Sequence, residues 1–92
     1  MSTVRKLNES ALRGIYDAYM HEAFPPAELK PLAVMLRLME RGRYLCYGYY
    51  RNGRLAAYAF FYRHDSRVLL LDYFAVTPEL RGRGVGSAFL AA

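Results

Sequence analysis

The stretch VTPELRGRGVGSAFLAA, residues 76–92, decides the fold of this chain. It begins at the end of an apolar run, RVLLLDYFAV at 67–76, that is typical of a strand. Further along, apolar residues recur at helical spacing, at Val85, Ala88, Phe89 and Ala92. The stretch therefore predicts a strand, a Thr77-Pro78 turn and a glycine-rich loop that opens a helix.

The loop itself contains glycines at 82, 84 and 86 and arginines at 81 and 83. A helix N-terminus offers unpaired backbone N–H groups and a partial positive charge, so it binds phosphate readily. Glycines keep side chains away from those amides, and the arginines add positive charge. The loop therefore predicts a pyrophosphate cradle. The alternative is a solvated basic loop whose glycines serve only the turn.

The spacing of the loop separates it from other nucleotide-binding motifs. A Rossmann or kinase G-x-G-x-x-G motif would need glycine where Ser87 stands. A P-loop needs lysine after its last glycine, and no lysine follows Lys30. What remains is the pattern Arg-x-x-Gly-x-Gly, formed by Arg81, Gly84 and Gly86.

The N-terminal half predicts one strand and two helices. TVRKL at 3–7 is typical of a short strand, and Asn8 is a suitable N-cap for the helix that follows. That helix is indicated by apolar residues at helical spacing: Leu12, Ile15, Tyr16, Tyr19 and Ala23. FPP at 24–26 is expected to end it. A second helical stripe follows Pro31: Leu32, Met35, Leu36 and Met39.

Three strands are predicted between the helices and the loop. YLCYGYY at 44–50 and RLAAYAFFYRH at 54–64 are joined by Asn52-Gly53, a strong signal for an antiparallel hairpin because both positions accept positive φ. A turn at 64–66 leads into the third strand, 67–76. The predicted order is β-α-α-β-β-β-α.

Composition narrows the class of protein. The chain has 92 residues, 54% of them apolar and 23% charged, as expected for one globular domain. It has neither an apolar stretch long enough for a bilayer nor the apolar centre of a signal peptide, so we expect a cytoplasmic location and no membrane partner. The single cysteine, Cys46, excludes a disulfide framework and a multi-cysteine metal site, and we expect no metal. The net charge of +5 favours anionic partners.

The stretch YFAVTPELRGRGVGSAFL at 73–90 resembles the cofactor motif of the GNAT N-acetyltransferases. In that family Gln/Arg-x-x-Gly-x-Gly/Ala follows a strand that ends in an apolar-Val-x-Pro pattern, and the predicted element order matches the family's first half. The resemblance implies an α/β (α+β) fold of the GNAT acyl-CoA N-acyltransferase type. It also implies one acetyltransferase domain over residues 1–92, expected to be incomplete at the C-terminus because a strand that leads into a helix usually requires a further parallel strand.

The resemblance implies acetyl-CoA as the acetyl donor and places its contacts in two segments. The backbone of the last strand is expected to pair with the pantetheine arm, at Phe74, Ala75 and Val76. The loop amides are expected to hold the coenzyme A pyrophosphate, at Gly82, Arg83, Gly84, Val85, Gly86 and Ser87. Arg81 occupies the Gln/Arg position that opens the motif.

The resemblance further implies direct attack of a primary amine, from a small molecule or a peptide, on the thioester. Some family members carry a glutamate base on the last strand, at a position that here is Leu70. Asp72, two residues further on, is the candidate general base if no bulge intervenes between 70 and 72; the alternative is a structural carboxylate. The family's general acid, a tyrosine on a later helix, has no counterpart here. Acids within 17–30 are candidates for attracting a cationic amine: Asp17, Glu22 and Glu28.

Two further hypotheses concern partners. Arginines and aromatic residues in RYLCYGYYRNGR at 43–54 are consistent with a small basic nucleic-acid-binding module, which would expose aromatic side chains on one sheet face. The two amphipathic helices are expected to cover that face and therefore favour the enzyme. The strand 67–76 is expected at an unpaired edge, which invites self-association.

Overall fold

A computed structural model describes residues 2–80 and 83–91. The strands are β1 Ser2–Lys6, β2 Tyr44–Arg51, β3 Arg54–Arg63 and β4 Leu69–Val76. Helix α1 covers 9–23 in three parts, α-helical Glu9–Ile15, π-helical Tyr16–Met20 and α-helical His21–Ala23. Helix α2 is Leu32–Glu40, a 3₁₀ turn is Pro78–Leu80, and helix α3 is Val85–Ala91. The predicted order of strands and helices is confirmed.

The four strands form one antiparallel sheet in the order β1-β2-β3-β4. The predicted hairpin joins β2 to β3, where Asn52 and Gly53 have φ of 52° and 78°. Asparagine and glycine tolerate this left-handed backbone, which fits the twist of the two strands. Strand β4 therefore lies at one edge of the described sheet, as expected for 67–76.

Helices α1 and α2 cover one face of the sheet, and α3 packs on the other. Under α1 and α2 lie Tyr44, Tyr58 and Phe60, each at most 2% exposed. Opposite them, Tyr49 and Ala57 pack against Val85 and Phe89 of α3. Among the described residues the central strand aromatics are thus packed under helices, and the exposed aromatic face that the nucleic-acid alternative predicted is not supported.

The first helix departs from the predicted stripe within its π-helical part. Asn8 caps the helix as predicted, because its Oδ1 accepts from the Ala11 N–H at 2.9 Å. Leu12, Ile15 and Tyr16 are buried, but Met20 is fully buried where the stripe placed Tyr19. A π-helical turn holds more residues than an α-helical one, so it rotates the face that follows.

The predicted strand 67–76 begins two residues late, at Leu69. The Asp65 carboxylate accepts from the N–H groups of Arg67 and Val68 at 2.7 and 3.0 Å. An aspartate that bonds the amides just after it stabilises a turn. The turn therefore extends through these two residues, and the strand starts after them.

No described helix is both long and apolar enough to cross a membrane.

Candidate functional site

The end of β4 is fixed to the sheet by Thr77. This residue is 2% exposed, and both its N–H and its Oγ1 donate to the Ala56 carbonyl, at 2.9 and 3.2 Å. The double contact holds the chain at the point where it leaves the strand. The turn that follows is closed by the Leu80 N–H, which donates to the Thr77 carbonyl at 3.0 Å. The loop after β4 therefore starts from a well-defined position.

Gly84 adopts the left-handed backbone directly before α3. Its φ is +74°, and a Cβ added there would have nothing within 4 Å. The backbone conformation therefore explains why glycine stands here, since residues with a side chain rarely adopt a positive φ. The Gly84 carbonyl accepts from the Ala88 N–H at 3.1 Å, which places Val85, Gly86 and Ser87 in the first helical turn. First-turn amides lack intrahelical partners.

The structure describes five of the seven predicted loop residues. Arg83, Gly84, Val85, Gly86 and Ser87 are consecutive at the start of α3. Arg83 is exposed, and its N–H donates to the Leu80 carbonyl at 3.3 Å. Arg81 and Gly82 lie outside the described residues.

Helix α3 is held on the sheet by stacked aromatic rings. The Phe89 ring lies 5.2 Å from that of Tyr49 and 5.8 Å from that of Phe74, with interplanar angles of 8° and 20°. Val85, at 1% exposure, anchors the first turn. The position of the loop amides relative to β4 thus depends on these contacts.

Gly86 faces β4 at close range. A Cβ there would lie 3.5 Å from the Phe74 ring and 3.6 Å from a Val76 methyl, which are ordinary contact distances. We expect Gly86→Ala to fold and to stabilise α3 by about 0.5–1 kcal/mol, because alanine loses less backbone entropy in a helix. Thermal unfolding checks this expectation. A loss of several degrees in melting temperature would contradict it.

The three strand residues before the turn alternate between the faces. Phe74 and Val76 pack with the cluster under α3, whereas Ala75 packs with the cluster under α1 and α2. All three are half-buried and lie on the edge strand. Because β4 is an edge strand of the described sheet, an extended arm could lie alongside it. Pairing with pantetheine at 74–76 remains a prediction.

A bulge does intervene at Asp72. The register passes from Phe61 opposite Leu71 to Phe60 opposite Tyr73, so Asp72 is the extra residue on β4. Its Oδ2 accepts from Lys30 Nζ at 2.8 Å and from the Tyr44 hydroxyl at 2.5 Å. The bulge thus directs the carboxylate towards the face of the sheet that α1 and α2 cover. Its role as a general base remains a prediction.

The connection between α1 and α2 is fastened to β4 at the same place. The Tyr73 hydroxyl accepts from the Lys30 N–H and donates to the Glu28 carbonyl, both at 2.7 Å. The Tyr16 hydroxyl donates to the Lys30 carbonyl at 2.9 Å. The three predicted acids are exposed: Asp17, Glu22 and Glu28. The segment that carries Glu28 therefore lies against the bulge.

Two buried groups in this region, a tyrosine hydroxyl and a cysteine thiol, keep their protons. Burial, and then the hydrogen bond to Asp72, raises the pKa of the Tyr44 hydroxyl far above its ordinary value of 10.0. Burial, together with the Asp72 charge, raises the pKa of the Cys46 thiol to about 12. Tyr44 is therefore a constant donor to Asp72, and Cys46 is a core residue rather than a nucleophile.

Raising the pH should therefore destabilise the fold. Below pH 9.0, the ordinary pKa of the thiol, both states keep the Cys46 proton, whereas between 9.0 and about 12 only the unfolded state loses it. The free energy of unfolding should fall by up to about 1.4 kcal/mol per pH unit in that window. Urea titrations across the window measure this slope, and Cys46→Ala should reduce it. An unchanged slope in that variant would contradict the assignment.

An open cleft of about 320 Å³ lies beside the turn after β4. It is lined by Tyr19, Arg54, Leu55, Thr77, Glu79 and Leu80. The sequence did not predict this cleft, because its lining residues come from three separate parts of the chain. Lys30 was also missed, since only the fold brings it to Asp72.

No three His, Cys, Asp or Glu side chains within 2–80 and 83–91 lie together so that they could hold a metal ion.

Comparison with known proteins gives one family and a set of similar structures. The model of the acetyltransferase (GNAT) family matches residues 10–92. The ribosomal-protein-S18-alanine N-acetyltransferase from Escherichia coli is 26% identical over 99% of this chain and 56% of its own, with a TM-score of 0.75. A putative GNAT acetyltransferase from Bacteroides thetaiotaomicron is 18% identical over 97% of this chain and 52% of its own, with a TM-score of 0.80.

A predicted acetyltransferase from Clostridium acetobutylicum, solved with acetyl-CoA, is 12% identical over 99% of this chain and 70% of its own, with a TM-score of 0.68. The chain therefore spans little more than half the length of the first two structures. A comparison with curated proteins found no match.

Proposed function

Because the chain belongs to the acetyltransferase (GNAT) family, we propose that it serves acetyl transfer from acetyl-CoA to a primary amine. The observation that carries the proposal is the left-handed glycine directly before α3, in the loop that follows the edge strand β4. This glycine, Gly84, is the first glycine of the motif Arg-x-x-Gly-x-Gly, which Arg81 opens and Gly86 closes.

The open space at the loop supports binding of a diphosphate. The space beside Gly84 is open, since an added Cβ would have nothing within 4 Å. We propose that the amides of 84–87 hold the pyrophosphate, with Gly82 and the cations of Arg81 and Arg83 assisting. The first-turn amides of a helix and its partial positive charge favour such a ligand. The backbone of 74–76 would then lie beside the pantetheine arm.

Acetyl transfer requires an uncharged amine and a polarised thioester carbonyl. We propose that a backbone amide of 74–76 polarises the carbonyl and that Asp72 accepts a proton from the attacking amine. The position of the carboxylate supports this assignment, because Asp72 contacts Lys30 of the connection between α1 and α2 even though a bulge lies at Asp72. An acceptor would therefore meet Asp72 beside Lys30. Both peptide and small-molecule amines fit this proposal.

Calorimetric titration tests the ligand class. We expect acetyl-CoA to bind with saturation, and a duplex oligonucleotide not to bind, at low and at moderate salt. A protein that binds nucleic acid mainly through phosphates loses affinity steeply as salt rises. Tight, strongly salt-dependent oligonucleotide binding without acetyl-CoA binding would overturn the proposal in favour of the nucleic-acid alternative.

We also propose a cytoplasmic location and self-association through the edge strand. Leu69, Leu70 and Leu71 of β4 are 48%, 51% and 55% exposed, and such an edge is a template for pairing with another chain. We expect Leu71→Lys to shift sedimentation towards the monomer, because charged side chains discourage edge pairing. A wild-type chain that is monomeric at every concentration would contradict self-association.

A further inference from the structure

Lys30 places a primary amine at the candidate base. Its Nζ lies 2.8 Å from Asp72 Oδ2 and 5.8 Å from the centre of the Tyr44 ring. The Lys30 side chain is 30% exposed and that of Asp72 25%, so the pair is reachable from outside. A carboxylate and an aromatic face together favour an ammonium group. The pair thus occupies the position that an acceptor amine would have to reach.

The backbone of Lys30 is held on both sides, so only the side chain is free to move. Its N–H donates to the Tyr73 hydroxyl at 2.7 Å, and its carbonyl accepts from the Tyr16 hydroxyl at 2.9 Å. An amine on such a short tether has a high effective concentration at its target. Lys30 should therefore react faster than a lysine that reaches the site by diffusion.

The distance to the proposed thioester position is short. Asp72 precedes Phe74 by two residues on β4, which span at most about 7 Å. The four methylene groups of lysine span a comparable length. A rotation of the Lys30 side chain past Asp72 would therefore bring its nitrogen towards the backbone of 74–76.

We propose that Lys30 is a self-acetylation site, modified by the chain's own bound acetyl-CoA. The inference rests on the proposed function, since it needs acetyl-CoA bound at 74–76 and at the loop before α3.

The reaction balances with acetyl-CoA as the only co-reactant. The Lys30 ammonium passes one proton to Asp72 and becomes a neutral amine. The nitrogen lone pair attacks the thioester carbonyl carbon, the new C–N bond forms, and the C–S bond breaks. A second nitrogen proton goes to the leaving thiolate, and Asp72 releases its proton to water. The products are an acetyl-lysine amide, coenzyme A thiol and one proton.

The modification would change the site. Acetylation removes the lysine charge, and the ion pair with Asp72 is lost. The Asp72 carboxylate would keep the Tyr44 hydrogen bond and become accessible to an ammonium group from outside. Self-acetylation would thus open the position for the acceptor.

The chain offers an internal control, because Lys6 is its only other lysine. Lys6 is exposed on β1, at the opposite edge of the sheet. We expect incubation of the full chain with acetyl-CoA to acetylate Lys30 at least about tenfold faster than Lys6, at a rate independent of protein concentration. Peptide mapping by mass spectrometry measures both sites. Lys30→Arg should keep the charge beside Asp72 and lose the modification, whereas Lys6→Arg should leave Lys30 labelling unchanged.

Asp72→Asn should lower the Lys30 rate by about a hundredfold, as expected when a base is removed. As a readout without acetyl-CoA, the same change should shift the side-chain ammonium signal of Lys30 in the NMR spectrum. Equal labelling of Lys6 and Lys30 would overturn the inference, and so would an unlabelled Lys30 in a chain that binds acetyl-CoA. The ratio of Lys30 to Lys6 acetylation in the wild-type chain tests the inference even if Asp72→Asn does not fold. Absence of acetyl-CoA binding would overturn the proposed function itself.

Discussion

Phe89→Ala is expected to lower the free energy of unfolding by about 3–5 kcal/mol. Phe89 is 8% exposed, and its ring is stacked with those of Tyr49 and Phe74. Alanine would remove both stacking contacts and leave a cavity between α3 and the sheet. Because domains of this size are stable by only about 5–15 kcal/mol, the substitution would remove a large share of the free energy of unfolding. Urea or thermal unfolding measures the change.

The same helix provides the control. Leu90 is 73% exposed, and Leu90→Ala should change stability by no more than about 0.5 kcal/mol. Phe89→Ala should also weaken acetyl-CoA binding, since the loop amides would no longer be held beside β4. Equal effects of the two substitutions would show that α3 is not fastened in the way described.

Gly84→Val is expected to reduce acetyl-CoA affinity by at least about tenfold. The left-handed backbone costs a residue with a side chain about 1–2 kcal/mol, and about 1.4 kcal/mol is a tenfold change in affinity. Valine would either keep φ at +74° under strain or relax and turn the neighbouring amides away. In both cases a bulky side chain would also extend into the space that the proposal gives to the diphosphate. Calorimetry measures the affinity.

Gly53→Val is the matched control for this substitution. Gly53 has a φ of +78° and open space around an added Cβ, as Gly84 does, but lies in the β2–β3 hairpin. Both variants should lose similar stability, whereas only Gly84→Val should lose affinity. If the hairpin variant lost as much affinity, the effect of Gly84→Val would reflect stability and not the loop.

Local signals in the sequence predicted much of the fold. Asn8 as a cap, Asn52-Gly53 as a hairpin and the stripe around Met35 each depend on a few neighbouring residues, and each is confirmed. The family resemblance is confirmed by the match over 10–92. Such features could be predicted because turn and cap residues act within one turn of backbone.

Features that depend on distant residues could not be predicted in this way. The bulge at Asp72 arises from how β3 and β4 are paired, and no residue type marks it. The contact between Lys30 and Asp72 joins positions 42 residues apart. The π-helical turn that buries Met20 in place of Tyr19 is likewise set by packing. That residues 1–92 form one acetyltransferase domain lacking its C-terminal part stays a prediction.

Backbone amide NMR during titration with acetyl-CoA identifies the residues that meet the ligand. We expect the largest shifts at residues 83–87 and 74–76, with small changes in the hairpin at 52–53. Large shifts on β1 and β2, with none in the loop before α3, would contradict binding at this loop.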